Sequence, residues 1–123
     1  MLDVEVATKR GAAVCLPKGD LDATTLLTFE AAVDLCLGEP VLIVDLSGVQ
    51  FIDANGLVAL VGVVRRARDQ RTQVTVIVPP GRVQRVLGDA GLDQIVSVLE
   101  TVDLALFEIH DYGRAVDRVH DHP

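Results

Sequence analysis

The 123 residues contain no Gly-rich phosphate loop of the GxxxxGK[ST] kind, no GxGxxG after a strand, and no CxxC or HExxH spacing. The first two absences leave out the usual backbone cradles for nucleotide phosphates, and the last two the usual zinc frameworks. Serine is scarce: Ser47 and Ser97 are the only two, and neither lies in the strand-to-helix elbow that a nucleophilic serine needs. The three histidines, His110, His120 and His122, all lie near the C-terminus. There His120-Asp121-His122 reads as a frayed tail before it reads as a metal site, because disorder concentrates at termini. A phosphorelay receiver would need acids clustered after its first strand and a lysine in a late loop, and neither is present. The expectation is a chain without catalytic residues, metal or cofactor, one that binds rather than reacts.

Long apolar runs are missing too. The longest, Gly56 to Val64, falls well short of the ~20 residues of a membrane helix. The start, MLDVEVATKR, has neither the basic lead nor the apolar core of a secretory signal, so a cytoplasmic location is expected. Bases are outnumbered, eleven Lys and Arg against eighteen Asp and Glu, for a net charge of −7. Such a surface repels phosphate backbones and anionic lipid, so neither nucleic acid nor membrane is an expected partner. Only two cysteines occur, Cys15 and Cys36. They read as buried thiols in a reducing compartment, because free cysteines are most often core residues; a redox-sensing pair is the other reading, and it would need Cα atoms within about 7 Å, which the sequence leaves open.

What is present is a chain half apolar, with a mean hydropathy of +0.38. It is long enough to bury about two thirds of its unfolded surface as a single domain over residues 1–123, with a frayed tail from about 113. The stretch from Val41 to Val64 organises the rest. Val41 to Leu46 is a short β-branched run after Pro40, which predicts a strand buried on both faces. From Gly56 the positions Leu57, Leu60, Val61 and Val64 recur at three and four, which predicts a helix. A loop is expected between them, closing with Asp53, Ala54, Asn55 and Gly56. Partners of an open α/β sheet tend to meet it beyond the carboxyl ends of strands, where helix N-termini expose unpaired N–H groups.

Around this centre, Leu2 to Ala7 alternates as a half-wet strand, and Lys9-Arg10-Gly11 makes a turn into a second strand, Ala12 to Leu16. Pro17 to Asp22 is expected to break regularity. Asp22, Thr24 and Thr25 offer caps for a helix whose apolar stripe is Leu26, Leu27, Phe29, Ala32, Val33, Leu35 and Cys36. Gly38-Glu39-Pro40 stops it. The run Arg65 to Arg71 ends the central helix in positive charge that suits the helix dipole; its second reading is a basic patch for an acidic partner. A strand over Gln73 to Val78, a short helix over Arg82 to Leu87, a strand over Ile95 to Leu99 and a C-terminal helix from Thr101 complete the chain. The order β-β-α-β-α-β-α-β-α predicts a single α/β domain, a mixed sheet of four to five strands packed with about four helices.

Two segments carry a resemblance. Asp45-Leu46-Ser47 followed by Phe51-Ile52-Asp53-Ala54-Asn55-Gly56-Leu57 is similar to the D-x-S…F-(I/M)-D-S-S-G-L pattern of the STAS domain, and Gly19-Asp20-Leu21-Asp22 resembles its G-E-L-D turn. Element order and length match nearly end to end, and the chain most resembles the stand-alone bacterial anti-sigma factor antagonists. The resemblance implies a partner, an anti-sigma factor that is also a serine kinase, whose capture frees a sigma factor. It also implies release when the kinase phosphorylates the serine after the motif aspartate. In this chain that position is Ala54, followed by Asn55, so no hydroxyl is available there. Asn55 is expected to cap the helix instead.

The resemblance therefore implies a binding surface of Asp22, Thr24, Asp53, Ala54, Asn55, Gly56 and Leu57, with no phosphorylation at Ala54. Thr24, Thr25 and Ser47 are the other hydroxyls to locate. Two further readings stand beside the antagonist: a degenerate STAS scaffold subunit of a signalling or transport assembly, and a module that senses a nucleotide or other anion without chemistry. Oligomeric state, a homodimer included, is left open by the sequence.

Overall fold

The computed structural model describes residues 1–9 and 11–101. Among them one mixed sheet of six strands carries three α-helices. Strands β1 (Leu2–Lys9) and β2 (Ala12–Leu21) form an antiparallel hairpin from Leu2↔Gly19 to Lys9↔Ala12, turned at Gly11 with a φ of +79°. Helix α1 (Leu26–Asp34) leads to β3 (Val41–Asp45) and β4 (Gly48–Ile52). Helix α2 (Ala54–Asp69), β5 (Gln73–Ile77), α3 (Arg82–Asp89), a 3-10 turn (Leu92–Gln94) and β6 (Ser97–Leu99) follow.

The mixed α/β sheet is the expected one, with an additional strand. Residues 48–52, expected in the loop, pair parallel to the second half of β2, Lys18↔Gly48 to Leu21↔Ile52. The first half of β2, Ala12 to Cys15, pairs parallel with β3. One ten-residue strand thus serves two partners in succession along the same side. This also corrects the break expected from Pro17 to Asp22: β2 runs on to Leu21, and Pro17 falls between the two parallel ladders, where a residue lacking N–H interrupts neither. β5 pairs parallel with β3, and β6 with β5.

All five residues of β3 are buried, as a strand covered on both faces requires. Leu42 and Val44 join the main core with Phe29 and Val33 of α1, Leu60, Val63 and Val64 of α2, and Val83 and Leu87 of α3. Val41 and Ile43, pointing the other way by the two-residue period, form a second cluster with Ala12 and Ile77. In α1 the inward residues are Phe29 and Val33, whereas Leu27 and Leu35 are 74% and 81% exposed, contrary to the broad stripe expected. Two residues from an inward position on a helix is about 200° of rotation, so neither leucine can reach the sheet. Arg66, in the basic run, pairs with Asp34 of α1 at 3.3 Å, and Arg68 Nη2 donates to the Ile95 carbonyl, so part of the run ties the end of α2 to its surroundings. The C-terminal helix and tail expected after Thr101, with the three histidines, lie outside the described residues.

Cys15 and Cys36 are both fully buried and both free. Burial first, and the neighbouring Cys36 charge second, push the Cys15 thiol from an ordinary 9.0 up to about 12. Burial, then the Glu39 carboxylate, raises Cys36 as well. Both stay protonated at neutral pH, which makes them poor nucleophiles. A raised acid pKa means the unfolded thiol ionises first, so this contribution to stability is intact below about 9 and is lost as pH climbs toward 12. Stability measured by urea unfolding should fall between pH 9 and 12 by about 1.4 kcal/mol per pH unit for Cys15 alone, and the Cys15→Ala slope should be shallower. Equal slopes in the two proteins would contradict the assignment.

Candidate partner-binding surface

β2 and β4 finish side by side, Leu21 opposite Ile52, and the chain leaves each through an aspartate turn. On the β4 side, Asp53 has extended backbone (φ −108°, ψ −174°) and its Oδ1 accepts the Gly56 N–H at 2.9 Å. It is therefore the N-cap of α2, and the helix begins at Ala54 rather than at Gly56. Asn55, expected to cap, is an exposed residue inside the first turn. Asp takes the cap because its side chain precedes the first helical residue and reaches the third N–H beyond it.

The helix is seated by Gly56. A Cβ there would collide with the carbonyl oxygen of Leu21 and lie 2.9 Å from Ile52 Cγ1. The same carbonyl accepts the Asp53 N–H at 3.3 Å. Glycine thus lets the first turn of α2 rest on the end of β2, with Ala59, Leu60 and Val63 directed into the core. Ala54, Asn55 and Val58 face outward, and Leu57 is half-buried against the core.

On the β2 side, Asp22 Oδ1 accepts the Thr24 backbone N–H at 2.9 Å and the Thr24 hydroxyl at 2.7 Å. Thr25 is buried; its hydroxyl donates to the Asp20 carbonyl at 2.7 Å and accepts the Asp22 N–H at 3.0 Å. The hydroxyl of Thr24, chiefly, holds the Asp22 carboxyl below its ordinary value, against a smaller opposing effect of desolvation, with the Thr24 N–H and Thr25 adding to the lowering. Leu21 precedes Asp22 and Ile52 precedes Asp53, so the two turns stand together at one end of the sheet.

Of the expected surface residues, Asp22, Thr24, Asp53, Ala54, Asn55 and Leu57 are gathered here with part of each side chain accessible, while Gly56 is buried beneath them. Ser47 is elsewhere. It is exposed at the bend between β3 and β4, one five-residue strand, or about 16 Å, upstream of Asp53. Its backbone N–H is held at 2.9 Å by Asp45, itself only 4% exposed, so the Asp-Leu-Ser segment shapes the bend that starts β4. Three apolar side chains not assigned to the surface are exposed on the elements that adjoin the two turns: Leu27 on α1, Phe51 (46%) on β4 and Val58 (71%) on α2. Periodicity could have marked Val58, which falls outside the stripe of α2. Phe51 was hidden by the expectation of a loop.

No group of His, Cys, Asp and Glu among the described residues is arranged to hold a metal ion, and no described helix is long and apolar enough to cross a membrane. A cavity of about 250 Å³ lined by Val78, Leu87, Val98 and Leu99 among others shares no residue with the two turns.

Comparison with known proteins follows the fold. The family model of the STAS domain matches residues 3–105. Among solved structures, an anti-sigma factor antagonist from Mycobacterium paratuberculosis is similar with a TM-score of 0.82 at 24% identity, over 89% of this chain and 95% of that one. A putative anti-sigma factor antagonist from Thermotoga maritima gives 0.80 at 24% identity, over 87% and 94%. A sulfate transporter family protein from Wolinella succinogenes gives 0.72 at 19% identity, over 83% and 87%. No curated protein matches the chain.

Two outcomes are expected of variants. Gly56→Ala should lower stability by about 2 kcal/mol or more in thermal or urea unfolding, because a backbone carbonyl cannot yield as a side chain can; an unchanged midpoint would remove Gly56 as the seat of α2. In Thr24→Ala the Asp22 carboxyl, followed by NMR, should titrate closer to its ordinary 3.8. A depressed carboxyl stabilises the turn above its unfolded pKa and loses that contribution as pH falls through the folded one, so the wild-type turn should persist to lower pH than the variant.

Proposed function

Since the chain belongs to the STAS domain family, we propose that it is a non-catalytic, cytoplasmic regulator that binds an anti-sigma factor of the serine-kinase type and so frees a sigma factor. The contact surface on this reading is Asp22, Thr24, Asp53, Ala54, Asn55 and Leu57, with Gly56 supporting it from below. One observation carries the reading: the outward first residue of α2, held by the Asp53 cap, is an alanine. Regulation by phosphate at the family's usual position is then absent, since no oxygen exists there to accept it. Leu27, Phe51 and Val58, exposed apolar side chains on α1, β4 and α2, support a role in protein contact.

A scaffold role is the second reading, favoured by the likeness to the sulfate transporter family protein. The two separate in one experiment. Tagged protein incubated with each kinase-type anti-sigma factor of the source organism, without ATP, should retain one of them, with binding read by calorimetry; retention of none would favour the scaffold. With Mg-ATP and that kinase, Ala54→Ser should gain phosphate at residue 54, mapped by mass spectrometry. A variant left unmodified at 54 under conditions where the complex forms would count against equivalence of this position with the family serine.

A further inference from the structure

The arginine run that closes α2 borders a cavity that plays no part in the partner reading. β6 is three residues long and joins β5 only from Thr75↔Ser97 onward, so Gln73 and Val74 at the start of β5 have no strand partner on that side among the described residues. A cavity of about 300 Å³ opens there. It lies between these two residues, Ile95 and Val96 after the 3-10 turn, and Val64 and Arg68, which are four apart and so share one face of α2. We propose that this cavity binds a small monocarboxylate with a short aliphatic tail, whatever partner the two turns meet at the other end of α2.

Charge selects the head group. Arg68 is exposed at the cavity, and its Nη2 donates to the Ile95 carbonyl. Its Nε and Nη1 have no hydrogen-bond partner among the described residues, and neither do the side chains of Gln73 and Ser97 at the same lining. Residues 65–71 hold four arginines and one aspartate, a local positive excess on a chain whose net charge is −7. That excess outweighs the partial negative charge at the C-terminal end of the helix. A carboxylate at Arg68 gains charge-assisted hydrogen bonds, whereas an ammonium group is repelled.

The walls and the volume select the tail. Val64 and Val74 are buried, Ile95 and Val96 half-buried, and together they offer an aliphatic surface. Thr72, also at the lining, is committed to the carbonyls of Leu37 and Glu39. Water occupies about 30 Å³ per molecule in the liquid, which gives the cavity room for about ten heavy atoms. Hexanoate fits, and a nucleotide is too large. The cavity at the opposite ends of β5 and β6 has the other preference, since Asp93 and Glu100 line it and repel an acid.

The test titrates the full chain with sodium hexanoate at constant ionic strength, followed by NMR and by thermal unfolding. Amide shifts should saturate, centre on Val64, Arg68, Val74, Ile95 and Ser97, and accompany a rising melting temperature, because the ligand binds only the folded chain. Hexanol and hexylamine should bind about tenfold more weakly or worse, since neither has the carboxylate. Arg68→Gln should lose the preference for hexanoate over hexanol, and Arg68→Lys should retain part of it. Shifts that never saturate, that spread over the whole surface, or that sodium chloride alone reproduces would overturn the proposal. So would a folded Arg68→Gln variant with the preference intact. Equal binding of hexanoate and hexanol by the wild-type chain would overturn it as well, an outcome that needs no variant to fold.

Discussion

A single backbone oxygen, the carbonyl of Leu21, sets the arrangement of the proposed surface. It ends β2, accepts the Asp53 N–H and lies against Gly56 so closely that no other residue fits without displacement. The first turn of a sixteen-residue helix is thereby placed on the end of a strand. The angle of α2 then follows, with Leu60, Val63 and Val64 reaching the core and Ala54 and Asn55 left outside. Rigid packing transmits such a constraint because a close-packed interior does not deform gradually.

The two aspartates beside that oxygen spend their hydrogen-bonding capacity at home. Asp53 caps α2 and Asp22 ties down Thr24, so each is fixed before any partner arrives. Prior order of this kind reduces what a complex must lose in side-chain freedom on forming. Leu27, Phe51 and Val58 are exposed apolar side chains on α1, β4 and α2, the elements that adjoin the two turns. The two turns therefore form an ordered acidic pair, and their position follows from β2 carrying β3 on its first half and β4 on its second.

Much of the fold was legible in local pattern. β1 and β2 could be paired because a short turn leaves adjacent strands little choice, β3 could be identified from an apolar run buried on both faces, and α2 from its three-and-four spacing. β4 was missed because Gly48–Ile52 has one fully buried position near each end and polar or exposed residues between, a pattern that only pairing with β2 makes a strand. Leu27 and Leu35 were placed inward because stripe width was judged from composition, whereas the available contact face of α1 admits only Phe29, Val33 and their neighbours.

By itself the sequence determined which groups and motifs are present: no CxxC or HExxH spacing, no Gly-rich phosphate loop, no hydroxyl at residue 54, and an acidic balance. Those are properties of side-chain identity and spacing, and folding cannot add an atom that is missing. Tertiary structure decided which residues share a surface. Asp22 and Asp53 are separated by a helix and two strands in the chain, and they stand together only because Leu21 and Ile52 are in register. The same long-range pairing puts the turns of Asp22 and Asp53 at one end of the sheet and Ser47 at the other end of β4, a distinction that no local pattern contains.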